Sequence, residues 1–303
     1  MQLFHNHTNQ ISSISVMSNR SNLKRNLSSL VNSNKVMFNL SNTVALITGG
    51  ASGIGLATAK TFLKENIKGL CIVDINENLG QIALNELIKS FGDRVIFVKA
   101  DTSNRSQFDV GIIITEAFRI TIDSFGSLDV VFNNAGIFDD KHWEKEISIN
   151  ICGTLHGTML AVDEYLPKYK SGNEAVVVNM SSICGLDAFG CAPVYTATKH
   201  AIIGLSRSFG KESHYNRTKV RVITICPGTT DTPMTVGGLD RNLGPAYRDL
   251  ETEFDQYPRQ SADVAADAVK TLIGTASTGS VWVIEGGDLY EVEILERQSR
   301  RRK

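Results

Sequence analysis

A chain of 303 residues, 42% hydrophobic and 21% charged, with 25 Gly against 6 Pro, has the composition of a packed globular protein and excludes collagen-like, coiled-coil and wholly disordered chains. No run approaches the ~18 uncharged apolar residues of a membrane-spanning helix, so no integral membrane contact is expected. The net charge of −1 conceals acid-free basic ends (Arg20, Lys24, Arg25, Lys35; Arg297, Arg300, Arg301, Arg302, Lys303), and the body between them carries about −10, which repels a phosphate backbone and argues against a nucleic-acid partner.

Residues 1–42 are rich in Asn and Ser and lack the ~7–15-residue apolar core of a secretory signal. With Arg20, Lys24 and Arg25 and no acid before Glu65, they fit either a mitochondrial transit peptide or a low-complexity extension, and Met37 offers an alternative start. From residue 43, short apolar runs alternate with stretches of helical period. Strands are predicted at Val44–Thr48, Gly69–Val73, Val95–Ala100, Leu128–Phe132, Ala175–Ser181, Val220–Cys226 and Val281–Ile284. Helices are predicted at about 54–65, 77–90, 105–124, 144–168, 194–214 and 261–274. The expectation is an α/β fold: one doubly wound domain over 43–290, a seven-stranded parallel sheet with three helices on each face. A basic tail, 291–303, follows it.

The first predicted strand runs into Thr48-Gly49-Gly50-Ala51-Ser52-Gly53-Ile54-Gly55, which opens the first helix. Glycines let a backbone approach a pyrophosphate, whose charge is met by the N–H groups of the helix start, although any tight strand-to-helix turn could use glycine. Asp74 closes the second strand, where a carboxylate can accept both adenosine ribose hydroxyls and repel a 2′-phosphate. No Lys or Arg stands in the loop or at 75–76, so NAD is expected over NADP. The structural alternative for Asp74 is a cap on the helix that follows.

Tyr195-Thr196-Ala197-Thr198-Lys199 puts a phenol and an ammonium on one helix face. A Lys⁺ beside a phenol favours the phenolate and draws it toward the range useful for general acid/base work. Ser182 follows the apolar strand Val176-Val177-Val178-Asn179-Met180, at the rim where parallel sheets place their chemistry.

With these residues in view the chain resembles the short-chain dehydrogenase/reductase superfamily, over about residues 40–290. The resemblance implies that Gly49, Ser52, Gly53, Ile54 and Gly55 form the cofactor loop and that Asp101, with Thr102, meets the adenine. It further implies that Asn133-Asn134-Ala135-Gly136 lines the adenosine side and steadies the sheet, with Asn133 and Ala135 as cofactor residues. Pro227-Gly228 with Thr232 would hold the nicotinamide carboxamide. Asn150, holding a relay water, would complete a catalytic set with Ser182, Tyr195 and Lys199, the last two also touching the nicotinamide ribose. Shorter words, Asp139-Asp140-Lys141-His142-Trp143-Glu144-Lys145, Pro193-Val194-Tyr195 and Gly279-Ser280-Val281-Trp282-Val283-Ile284, resemble the 15-hydroxyprostaglandin dehydrogenase and insect-type alcohol dehydrogenase subgroups. They imply oxidation of a secondary alcohol, whether a hydroxy-lipid, a prostaglandin-like molecule or a small alcohol. In this superfamily the helices equivalent to 144–168 and 194–214 form dimer contacts, which implies a homodimer or homotetramer.

Two other functions stay open: an NADPH-dependent carbonyl reductase, and a catalytically silent nucleotide-binding or storage protein of the same fold. Residues 233–260, including Met234, Tyr247, Leu250 and Phe254, are expected to form a substrate lid. Cys71, Cys152, Cys184, Cys191 and Cys226 read as free thiols in a reducing compartment, so a cytoplasmic location is expected, or a mitochondrial one if the leader is a transit peptide. Cys184 and Cys191 flank the catalytic stretch, either as small packing residues or as sites sensitive to thiol reagents. No His or Cys spacing suggests a metal.

Overall fold

In a computed structural model the described residues are 38–103, 112–236, 240–299 and 301. Met37, most of the leader, residues 105–111 of the third predicted helix, and Gly237 and Gly238 of the expected lid lie outside them. The elements in chain order are β1 (Val44–Thr48), α1 (Gly53–Lys64), β2 (Gly69–Asp74), α2 (Glu77–Phe91), β3 (Val95–Lys99), α3 (Ile112–Phe125) and β4 (Val130–Asn133). A long helix, α4, follows over 143–169, then β5 (Ala175–Met180), α5 (Pro193–Phe209), α6 (Glu212–Thr218) and β6 (Val220–Pro227). The chain ends with β7 (Thr230–Asp231), β8 (Gln260–Ser261), α7 (Ala262–Thr275), β9 (Val281–Glu285) and β10 (Asp288–Glu291).

The main sheet has the order β10-β9-β6-β5-β4-β1-β2-β3. Strand residues are buried on both faces and alternate between two cores, as period-2 geometry demands. Ala45 and Ile47 join Phe62, Ala83 and Leu272 beneath α1, α2 and α7. Val44 and Leu46 join Phe118 and Leu166 beneath α3 and α4, and α5 completes that layer against β5 and β6. Phe62, Phe118 and Phe132 are fully buried, each contributing roughly 1.5–3 kcal/mol of transfer free energy. The strand order reverses between β1 and β4, where an α/β sheet opens a crevice above its carboxyl ends.

Three expectations are corrected here. The sheet has eight strands, because β10 pairs antiparallel with β9 through Gly286 (φ 55) and Gly287 (φ 91). Two successive positive φ values suit a primed hairpin turn, which glycine enters without strain. The predicted helix 194–214 is two helices, parted at Gly210, whose backbone lies against that of Gly279 and leaves no room for a side chain. The start of the expected tail belongs to the fold: Val292 and Ile294 pack with Ile183, Cys226 and Val283, and Arg207 donates to the Ile294 carbonyl at 3.3 Å.

Candidate active site

The loop after β1 is fixed by its neighbours. Thr48 Oγ1 accepts N–H bonds from Asn134 (3.0 Å) and Ala135 (3.1 Å), while the Asn134 amide donates to the carbonyls of Thr48 (3.0 Å) and Gly49 (3.1 Å). A Cβ on Gly55 would collide with the Gly49 carbonyl, so this glycine lets the helix start press on the loop. Ser52 makes no side-chain cap and the first turn of α1 holds no acid. Its N–H groups and positive dipole end are left for an external anion, which is the fit a pyrophosphate requires.

Asp74 ends β2 beside this loop. One carboxylate oxygen accepts the Ala51 N–H (3.2 Å) and the other the Asn76 N–H (3.0 Å). The cap of α2 is Asn76, which accepts from Leu79 N–H at 3.0 Å, so the capping alternative for Asp74 is not what the fold uses. Asp101 is turned by Ser103, whose N–H and hydroxyl reach it at 2.9 and 2.6 Å.

Across the crevice Ser182 follows β5 in extended backbone and accepts the Cys184 N–H at 3.2 Å. Tyr195 and Lys199 project from α5, with the ammonium 5.3 Å from the phenol ring centroid. Lys199 is 2% exposed and donates to the Met180 carbonyl at 3.2 Å. The Tyr195 ring leans on Phe138 with centroids 5.2 Å apart, and its hydroxyl points at the Met234 sulfur, 4.0 Å away. Burial pushes the phenol above its ordinary range, opposed by the Ser182 hydroxyl. Burial pulls Lys199 down to about 8. In the chain alone the direction for the phenol is therefore upward, set first by desolvation.

Asn150 lies on α4 in a wide turn, 148–153, with i→i+5 character. Its side-chain oxygen accepts from Ile137 N–H (2.9 Å), and its amide donates to the Ile137 carbonyl (2.9 Å) and Thr198 Oγ1 (3.1 Å). The Asn150 side chain thus joins α4 to α5 and to the segment that leaves β4.

These walls enclose a cleft of about 630 Å³, within the range of small-molecule sites. Gly49, Ser52, Gly53, Ile54, Asp74, Asp101, Thr102 and Ala135 line it together with Ser182, Tyr195, Lys199, Pro227, Gly228 and Thr232, and Thr232 lies against Gly53. Gly55, Asn133 and Asn150 stand behind it. Asn133 bonds to Asn179 (2.8 Å) and Thr158 (3.2 Å) inside the sheet. The lid contributes Met234 and Phe254, whereas Leu250 is 40% exposed and does not reach the cleft.

Two contributors escaped sequence reasoning. Arg259 lines the cleft and pairs with Asp231 at 3.0 Å, a contact made by the β7–β8 pairing of two-residue strands too short to carry a pattern. Asp140, fully buried, accepts the N–H groups of Val194 and Tyr195 at 2.9 Å each and so caps the helix that carries the phenol. Its neighbour Pro193, suited to a first helical position, was the available signal. Cys184 and Cys191 are buried, and burial pushes their thiols up to about 11 and about 12, which disfavours the reactive thiolate.

The sequence profile of the short chain dehydrogenases matches residues 43–241. The chain belongs to that family. The mouse "15-hydroxyprostaglandin dehydrogenase [NAD(+)]" is 38% identical over 63% of this chain and 68% of that protein. "Alcohol dehydrogenase 1" of Ceratitis cosyra is 26% identical over 82% of this chain and 93% of that one. Among solved structures, a levodione reductase superposes with a TM-score of 0.69 at 28% identity, covering 82% of this short-chain dehydrogenase and 97% of that chain. The subgroup likeness read from short words is thus found again over long alignments, and with it the doubly wound fold. Among the described residues no helix is long and apolar enough to cross a membrane.

Proposed function

We propose that the protein is an NAD-dependent alcohol dehydrogenase that oxidises a secondary alcohol, of hydroxy-lipid, prostaglandin-like or small-alcohol type, to the ketone. The observation that carries the reading is that Ser182, Tyr195 and Lys199 line the same cleft as the uncapped α1 start and Asp74. The relatives named for NAD-dependent and alcohol oxidation support it.

The dinucleotide would be held by the Gly49–Gly55 loop, Asp74, Asp101, Thr102, Ala135, Lys199, Pro227, Gly228 and Thr232. When bound as NAD⁺ it supplies the hydride acceptor and a positive charge. Ser182 donates to the substrate oxygen and stabilises charge developing there. Tyr195 takes the hydroxyl proton, in a phenolate form that needs more positive charge nearby than Lys199 alone provides. Lys199, ammonium below about pH 8, keeps that charge beside the ring. Met234 and Phe254 present apolar surface to the substrate, which favours a hydrophobic alcohol.

A homodimer or homotetramer is part of this reading, supported by Trp143, Met159 and Tyr169, which are exposed on α4. The free cysteines suit a reducing compartment such as the cytoplasm. The test is NADH appearance with purified protein, NAD⁺ or NADP⁺, and secondary alcohols from 2-propanol through hydroxysteroids to 15-hydroxy fatty acids. Reduction of NAD⁺ is the expected outcome. Preference for NADP⁺ would overturn the role of Asp74, and silence across the panel with tight NADH binding would favour a silent nucleotide binder.

A further inference from the structure

Two acids, Asp140 and Glu146, are fully buried beside the helix that carries Tyr195 and Lys199. Asp140 places one oxygen on the Val194 N–H and the other on the Tyr195 N–H, so it acts as a carboxylate with both oxygens engaged. Glu146, on the first turns of α4, accepts the Asp139 N–H at 3.2 Å through Oε1. Its Oε2 is buried and meets no donor. Asp140 follows directly on the residue whose N–H Glu146 accepts, and its carboxylate acts on Glu146. Two ionised carboxylates cannot share a dry site, and the group with a spare oxygen is the one able to carry a proton. Burial first, then the Asp140 charge, raise Glu146 to about 8, opposed by the Asp139 N–H and by Lys199.

We propose that Glu146 is a positioning residue of the active site: it stays protonated, donates that proton to the Asp140 carboxylate, and through Asp140 holds the first turn of α5 and hence Tyr195. The pair is coupled to the reacting groups by charge as well as by bonds. Among the described residues the titratable groups that act on Glu146 are Asp140 on the preceding turn and Tyr195 and Lys199 on α5, of which Lys199 is a cation; Asp139 meets it through its N–H and turns its carboxylate to His142. An ionised Glu146 raises Tyr195 and Lys199 together, so it disfavours the phenolate. Loss of the shared proton therefore lowers turnover on the alkaline side. That last consequence rests on the function proposed above; the shared proton does not.

Glu146→Gln tests both, since an amide keeps a donor for Asp140 and cannot ionise. The first readout needs no cofactor: the melting temperature of the full chain against pH. Glu146 binds its proton more tightly folded than unfolded, so its own contribution to stability is lost as pH rises from about 4.5 to about 8 and changes no further above that, which the difference between parent and variant isolates. The Gln variant lacks that loss, and its melting temperature should overtake the parent's across the window by about 5 °C or more. A difference that is constant with pH overturns the proposal. If the variant does not fold, infrared absorption of the unmodified chain decides instead: a protonated-carboxyl band present at neutral pH and lost through about pH 8 is expected, and its absence at neutral pH overturns the assignment.

The second readout is the pH–rate profile with NAD⁺ and whichever alcohol of the panel is turned over. The parent should fall above about pH 8 while Glu146→Gln keeps rising, exceeding it by about threefold or more near pH 9.5. Superimposable alkaline limbs would overturn the link to turnover. No turnover in either protein, with the stability crossover present, would locate the failure in the proposed function and leave the shared proton standing.

Discussion

Tyr195 sits where two demands conflict. Its ring is packed on Phe138 and its hydroxyl faces a thioether, surroundings that raise a phenol, whereas a general base must be lowered. In the proposed role as base, a buried lysine, a serine hydroxyl and the charge of bound NAD⁺ would together have to offset this, so the phenolate should form only in the loaded site. Tyr195→Phe should therefore lower kcat by about 10²–10⁴-fold with NADH affinity changed less than about threefold, measured by fluorescence titration; retention of more than a few per cent of turnover would remove the tyrosine from the mechanism. Asp74 accepts the Ala51 and Asn76 N–H groups in addition to the ribose role proposed for it. Asp74→Asn keeps an acceptor oxygen and deletes the charge. It should narrow the preference for NAD⁺ over NADP⁺ by about tenfold, a difference of ~1.4 kcal/mol, read from the two kcat/KM values. Tyr195, Lys199, Ser182 and Asp74 were legible as sequence because spacing on a helix and position after a strand are local properties. Asp140 and Glu146 were not: what makes them unusual is burial together, and acids in an exposed-looking DDKHWEKE word give no sign of that.

Elements carry the next level of specification. The α1 start can serve an anion only if it reaches the loop closely, and Gly55 is the residue that permits it. Gly55→Ala drives a Cβ into the Gly49 backbone; the expected result is loss of NADH binding together with destabilisation, checked by calorimetry and melting. At the far end of the sheet, Arg221 on β6 is 4% exposed and is held by Glu174 while donating to the carbonyls of Ile273 (2.7 Å) and Ala276 (2.6 Å) at the end of α7. A cation there satisfies orphan carbonyls and the negative dipole end. Arg221→Met should cost about 2–3 kcal/mol in denaturant unfolding with the cleft's chemistry unaffected, since the residue lies at the opposite ends of the strands. The strands were legible as elements because each is a short apolar run, and their boundaries moved by only a residue or two. The break at Gly210 was not, because it depends on Gly279, far away in sequence, coming to lie against it.

For the whole molecule, charge and exposed surface set the remaining expectations. Trp143, Met159 and Tyr169 leave α4 with apolar surface that one copy does not cover. Sedimentation should give a dimer or tetramer, and replacing Trp143 and Met159 with Glu should shift it toward the monomer; a monomeric parent chain would remove the oligomer from the reading. The doubly wound, mostly parallel sheet followed from alternation and right-handed crossovers, both of which act along the chain. The eighth strand had a local signal, Gly286-Gly287 between two runs, but Asp288-Leu289-Tyr290-Glu291 has the polarity of a tail and becomes a strand only against the edge that β9 offers. By itself the sequence determined the layered α/β fold and the glycine turn after β1, and it nominated the candidate residues of the chemistry, because these rest on periodicity, backbone freedom and side-chain type. The tertiary structure decided which of them face the cleft, that Asn133 and Asn150 spend their amides inside the protein, and that Glu146 meets Asp140. Those outcomes depend on burial and on contacts between distant segments, and desolvation, which governs charge in this site, exists only once the chain has folded.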